Sequence, residues 1–199
     1  MIYSEARPIE GAEQHSQLWH DWRRKTITAT NIPALLGLNP PQWNADEASV
    51  LASKQPDYEP KPPSAAMKRG TRLEPKVLDW YANERGVIVE HSPPMLQSKS
   101  HPWATASIDG FAYAKAEADP WPVEVKTSGI VSPGYLPAYW QAQVQWQLFV
   151  TGWQYSDLVA FNTRDKVHWI ARIDRDDEWI GETVELVDAW RIANGVGDA

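Results

Sequence analysis

Apolar positions along this chain recur with two periods, and the changes between those periods mark its elements. Across residues 66–84, Leu73, Val77, Trp80 and Tyr81 return at three- and four-residue spacing and Gly86 ends the run, which predicts an amphipathic helix. Residues 136–150 form the clearest second helix, with broad apolar coverage from Tyr139, Ala142, Val144, Trp146, Leu148 and Phe149 behind a Pro133-Gly134 start. Leu18, Trp19 and Trp22 predict a helix from near Ser16 to about Lys25. A short helix at 32–36 follows, capped by Thr or Asn and stopped by Gly37. Asp176 or Asp177 caps a last helix that reaches about Ile192. Strands are predicted at 87–90 and 95–97, separated by Pro93-Pro94, then at 104–108, 111–114 and 121–126. Residues 158–162 and 167–173 pair around Thr163-Arg164-Asp165-Lys166. Several strands flanked by helices, in the order αα-βββ-α-ββ-α, indicate an α/β core with a mixed central sheet.

The length, 199 residues, fits one domain over 1–199, with an irregular N-terminal arm at 1–15. Six of the sixteen prolines fall in 39–66, so a short helix near 45–53 is expected to lead into an open Pro-rich connection at 54–65. No run of 18 apolar residues exists and the first residues lack a basic-then-apolar leader, which argues against a membrane span and a secretory signal and for a cytoplasmic protein. The absence of cysteine excludes disulfides, thiolate chemistry and Cys-type zinc sites.

Chemistry concentrates where the strand pattern meets charge. In Pro122-Val123-Glu124-Val125-Lys126, a period of two turns Glu124 and Lys126 to one face and Val123 and Val125 to the other. Ile108-Asp109-Gly110 reads as an apolar strand end entering a turn, which can set Asp109 beside that charged face. Two carboxylates and an ammonium describe a hard-cation site with an added proton-transfer or charge-stabilising group, suited to metal-assisted hydrolysis of a phosphodiester. A solvated edge strand carries the same letters; against it stand the apolar neighbours Ile108, Trp121, Val123 and Val125, among which charges need partners. The formal net charge of -7 argues at first against a polyanionic partner. Its distribution changes that: residues 1–100 hold 12 basic and 12 acidic side chains, residues 101–199 hold 7 and 14. Basic clusters at Arg23-Arg24-Lys25 and at Lys68, Arg69, Arg72 and Lys76 remain for DNA. The five histidines show no metal-ligand spacing, most of the 12 tryptophans read as core, and no phosphate-binding glycine motif or H-E-x-x-H is present.

Five blocks in order carry a family resemblance: residues 19–30 with Leu35-Leu36-Gly37-Leu38; Gly70-Thr71-Arg72-Leu73-Glu74-Pro75 with Tyr81; Asp109-Gly110; Glu124-Val125-Lys126-Thr127; and Ala142-Gln143-Val144-Gln145. Together they resemble the lambda-exonuclease type, or YqaJ-like viral recombinases, within the PD-(D/E)XK nuclease superfamily, over most of the chain. The resemblance implies a PD-(D/E)XK nuclease-like core and a magnesium-dependent enzyme, with manganese able to substitute. It implies that the enzyme degrades double-stranded DNA from a 5′ end and leaves a 3′ single strand for recombination. Asp109 and Glu124 match metal-binding carboxylates, the Val125 carbonyl completes that shell, and Glu74 matches a helix carboxylate reaching the metal. Lys126 matches a catalytic lysine that positions or deprotonates the attacking water. Gln143 matches a glutamine at the site, in preference to Gln145 or Gln147, and Arg23 and Thr30 match residues that hold a 5′-phosphate. No proline directly precedes Asp109, and Thr30 stands where Ser is frequent, which keeps the hydroxyl. A homotrimer around DNA and a single-strand annealing protein as partner are further implications. An endonuclease of the same superfamily and a non-catalytic DNA-end-binding module are the alternatives. Retention of Arg23 and Thr30 speaks against the first, and retention of Asp109, Glu124 and Lys126 against the second.

Overall fold

A computed structural model describes residues 5–114, 120–130 and 132–197. In chain order it contains β1 (Ala6–Pro8), α1 (Gln17–Lys25), β2 (Ile27–Thr28), a 3-10 turn (Ala29–Asn31) running into α2 (Ile32–Leu35), and α3 (Glu47–Ser53). The long helix α4 (Ala65–Arg85) follows, then β3 (Ile88–His91), β4 (Leu96–Ser98), β5 (Ala104–Ala106), β6 (Gly110–Tyr113) and β7 (Trp121–Ser128). Helix α5 (Ala138–Thr151), β8 (Tyr155–Asn162), β9 (Val167–Asp174) and α6 (Asp177–Ala193) complete it. Side-chain caps start the helices where the sequence supplies them: Ser16, Asp46, Ser64 and Asp176 accept the backbone N–H of Trp19, Ser49, Met67 and Trp179.

The expected α/β architecture is present, with a mixed five-stranded sheet in the order β3-β6-β7-β8-β9. Strands β7 and β8 run parallel, so their connection must cross over, and α5 is that crossover. A second sheet, β1-β4-β5-β2, was not expected. It takes β1 from the arm read as irregular, pairing Ala6 with Ser98, and β2 from the stretch between the first two predicted helices, pairing Ile27 with Ala104. The first four residues of that arm lie outside the described residues. The Pro-rich stretch between α3 and α4 carries neither helix nor strand, as read from its composition.

Helix α5 lies between the two sheets, which explains its near-continuous apolar coverage. Ala142, Trp146, Phe149 and Val150 pack with Leu96, Ala104 and Ala106, while Trp140, Val144 and Leu148 pack with Leu158, Ala160 and Ile173. On the other face of the five-stranded sheet, Val77, Leu78 and Tyr81 of α4 pack with Val123 and Val125. The strand therefore buries its valines toward α4 and leaves the alternate positions, Glu124 and Lys126, for the α5 side. Gly70 lets α4 approach the end of β7, since a Cβ there would stand 3.3 Å from the Thr127 hydroxyl. Gly110 is more constrained: a Cβ would meet Val89 at 2.9 Å and the Glu90 carbonyl at 3.2 Å. That close approach fixes the bend carrying Asp109.

Candidate active site

Glu124 sits at the centre of the β7 register, opposite Leu158, and is 2 % exposed. A carboxylate buried that deeply needs donors. Lys126 Nζ donates to its Oε1 at 2.6 Å, Gln143 Nε2 donates to the same oxygen at 2.6 Å, and Gln147 Nε2 donates to Oε2 at 2.7 Å. Lys126 Nζ also donates to Gln143 Oε1 at 2.8 Å, closing a triangle of Glu124, Lys126 and Gln143. Two residues on one strand face and two glutamines one turn apart on α5 thus form a single polar stripe inside an otherwise apolar interlayer.

Asp109 follows the short β5 and stands just before β6, in the passage from the four-stranded to the five-stranded sheet. Its Oδ2 accepts the backbone N–H of Val125 at 2.8 Å, which fastens it to the middle of β7. Burial, then the charges of Glu124 and Glu74, hold its carboxyl well above the usual carboxylate range, against the opposing pull of Lys126 and the Val125 N–H. Glu74, half-buried on α4, is raised to about 7 by burial and then by Glu124, with Lys126 opposing. Glu74 reaches the cluster through its field, and among the described residues no hydrogen bond ties it there. Among the described residues, no three His, Asp or Glu side chains stand close enough to hold a metal ion by themselves.

The second group of expected residues lies on α1 and the turn after it. Arg23 Nη2 donates to Thr30 Oγ1 at 3.0 Å, so the two side chains meet. The guanidinium lies 4.4 Å from the centroid of the Trp19 ring, a cation–π contact, and burial lowers Arg23 to about 10. Trp19 Nε1 donates to Ser107 Oγ at 2.9 Å, and Ser107 O accepts Gln147 Nε2 at 3.0 Å. One chain of contacts therefore joins the arginine helix to the loop of Asp109 and to Glu124.

One participant stands second in the sequence reading and another lies outside it. Gln147 was ranked behind Gln143, yet both bind Glu124; their spacing of four on a helix was the available signal. Gln145 does point elsewhere, donating to Asp174 O and accepting from Asp176 N at the start of α6. Lys54, just past α3, was not singled out, and no local pattern marks it. Its Nζ donates to Arg23 O and Thr26 O, each at 2.7 Å, and to Asn31 Oδ1 at 2.9 Å.

The donor set suits a hard divalent cation. Asp109, Glu124 and the adjoining carbonyl of Val125 offer only oxygen, and a cation relieves the crowding that raises Asp109 and Glu74 beside Glu124.

The family model described as the YqaJ-like viral recombinase domain matches residues 18–154. Among solved structures, the alkaline exonuclease LHK-Exo from Laribacter hongkongensis shares 25% identity at a TM-score of 0.74, over 90% of this chain and 93% of that one. The same exonuclease in complex with dAMP gives 25% identity and a TM-score of 0.75 over the same shares, 90% and 93%. A phage-related exonuclease from Haemophilus somnus 129PT shares the fold at 15% identity and a TM-score of 0.61, over 85% of this chain and 93% of that one. No curated protein matches the chain.

Proposed function

Because the chain belongs to the YqaJ-like viral recombinase family, we propose that it is a metal-dependent exonuclease acting on double-stranded DNA from a 5′ end and leaving a 3′ single strand. The observation that carries this reading is the junction of Glu124, Lys126 and Gln143 within 2.6–2.8 Å, beside an Asp109 fastened to Val125. That the structural neighbours include an alkaline exonuclease, also seen in complex with dAMP, supports the same chemistry here. Asp109, Glu124 and the Val125 carbonyl hold magnesium, with Glu74 adding negative charge. The cation supplies Lewis-acid neutralisation of the phosphate, and manganese serves in its place.

The chain's own residues do the rest. Lys126 has three protons, two of them committed to Glu124 and Gln143, and the third is offered to the attacking water or to a phosphate oxygen. Gln143 and Gln147 hold Glu124 in place by donating to its two carboxylate oxygens. Water attacks phosphorus, the bond from phosphorus to the 3′-oxygen breaks, and a 5′-mononucleotide leaves with a free 3′-hydroxyl. The shortened strand retains a 5′-phosphate. Arg23 and Thr30 take that terminal phosphate, so each cycle regenerates the group they recognise.

The test is an end-labelled duplex assay in magnesium with 5′-phosphorylated, 5′-hydroxyl and covalently closed circular substrates. Mononucleotides released from linear duplex, fastest from the phosphorylated end, are expected. Cleavage of closed circles at a similar rate points instead to an endonuclease and overturns the end-dependent reading.

A further inference from the structure

A lysine in a Pro-rich surface connection ordinarily projects its ammonium into water. Lys54 does the reverse. All three of its protons are spent inside the protein, on Arg23 O, Thr26 O and Asn31 Oδ1. Arg23 O belongs to the last turn of α1, where helix carbonyls lack intrahelical partners, and Lys54 arrives from another helix to satisfy it. Asn31 Oδ1 also accepts from the backbone N–H and the hydroxyl of Thr28, each at 3.0 Å. The Thr28 hydroxyl lies 3.0 Å from that of Thr30, and Thr30 accepts from Arg23. The contacts close into a ring: Lys54, Asn31, Thr28, Thr30, the Arg23 side chain, and the Arg23 carbonyl back to Lys54. No carboxylate forms an ion pair with Arg23 or Lys54 among the described residues.

We propose that Lys54 is a positioning residue for the 5′-phosphate pocket, binding the end of α1 to the Thr28–Asn31 turn so that Arg23 and Thr30 present themselves to one phosphate. With its protons committed, it acts through those two residues and not by touching the DNA. This rests on the end-recognition reading above.

The experiment compares initial rates on two duplexes that differ only in a 5′-phosphate or 5′-hydroxyl, for wild type, Arg23→Ala, Lys54→Met and the double variant. The readout is the ratio of the two rates, with melting temperature measured alongside. Lys54→Met is expected to lower the ratio on the order of 10-fold, mainly through KM for the phosphorylated end, since misplaced binding groups lose most of their effect. Little further loss is expected once Arg23 is already Ala, because the two residues act as a unit. A merely structural lysine slows both substrates equally and leaves the ratio intact, which overturns the proposal. If the ratio collapses in Arg23→Ala but persists in Lys54→Met, the pocket stands and Lys54 has no part in it. If wild type shows no preference, or Arg23→Ala keeps it, the end-recognition reading itself fails. Should Lys54→Met not fold, Asn31→Ala removes one link of the ring; a ratio about 3-fold lower supports the proposal, and an unchanged one overturns it.

Discussion

Two regions of this molecule carry opposite electrostatic problems. Around β7, Asp109, Glu74 and Glu124 crowd acidic groups together, with Lys126 opposing them. Around the end of α1, Arg23 and Lys54 crowd positive charge; burial, then Arg23, pushes Lys54 down to about 7 despite its three acceptors. The two are joined through Trp19 and Ser107. On the proposed reading each region is relieved by a ligand of opposite sign, a divalent cation for one and a phosphate for the other. A protein built for a single surface task has no reason to store both. One that grips a DNA end while hydrolysing the next phosphodiester needs the pair.

The comparison breaks most visibly if the acidic region is dispensable. Asp109→Ala and Glu124→Ala are each expected to reduce single-turnover cleavage by at least about 1,000-fold; Asp109→Ala also relieves crowding among carboxylates, whereas Glu124→Ala strands Lys126, Gln143 and Gln147 and is expected to lower the melting temperature. Turnover near wild type in magnesium removes the assigned site. Lys126→Ala is expected to cost about 100- to 1,000-fold in the chemical step with a smaller change in magnesium affinity, and Lys126→Arg to rescue it poorly, since guanidinium does not surrender a proton. Equal loss of metal affinity in Lys126→Ala and Asp109→Ala makes the lysine a structural counter-ion. For the basic region, Arg23→Ala loses a charge-assisted contact of roughly 1.5–3 kcal/mol, which lowers the preference for 5′-phosphorylated ends by about 10- to 150-fold. The same slowing on both ends makes Arg23 a general backbone contact. The smallest effect belongs to Gln147→Leu, which strips one of the two α5 donors from Glu124. A loss of roughly 10-fold in rate is expected, and an unaltered rate means Gln143 and Lys126 alone orient the carboxylate.

Where the sequence was legible follows from how local each interaction is. The face shared by Glu124 and Lys126 follows from strand periodicity, and helix α4 from its spacing and its Gly86 stop, which adopts a φ of 64°. Strands β1 and β2 are only three and two residues long and exist because β4 and β5, some seventy to ninety residues away, complete them. No local pattern encodes such a partner. Gln143 and Gln147 look like a helix-face repeat until Glu124 is seen beneath both. Lys54 was the least legible. Two of its three acceptors are backbone carbonyls, and sequence carries no mark for a carbonyl left open at a helix end.

The opposed charges also give opposed responses to pH. Glu74 titrates near 7 in the folded chain against 4.5 unfolded, so the metal-free fold binds the extra proton and this contribution to stability falls as pH rises through that window. Lys54 titrates near 7 folded against 10.5 unfolded; there the unfolded chain binds more protons, and the contribution rises between those values. The most direct test of the acidic region as a cation site is magnesium titration calorimetry on wild type and Asp109→Ala across a pH series centred near 7. Ligation must displace the proton that burial and neighbouring carboxylates favour on Asp109, and is helped by loss of the one on Glu74, so affinity is expected to climb with pH through about 7 and to vanish in Asp109→Ala. Binding that ignores pH, or that survives intact in Asp109→Ala, contradicts the account.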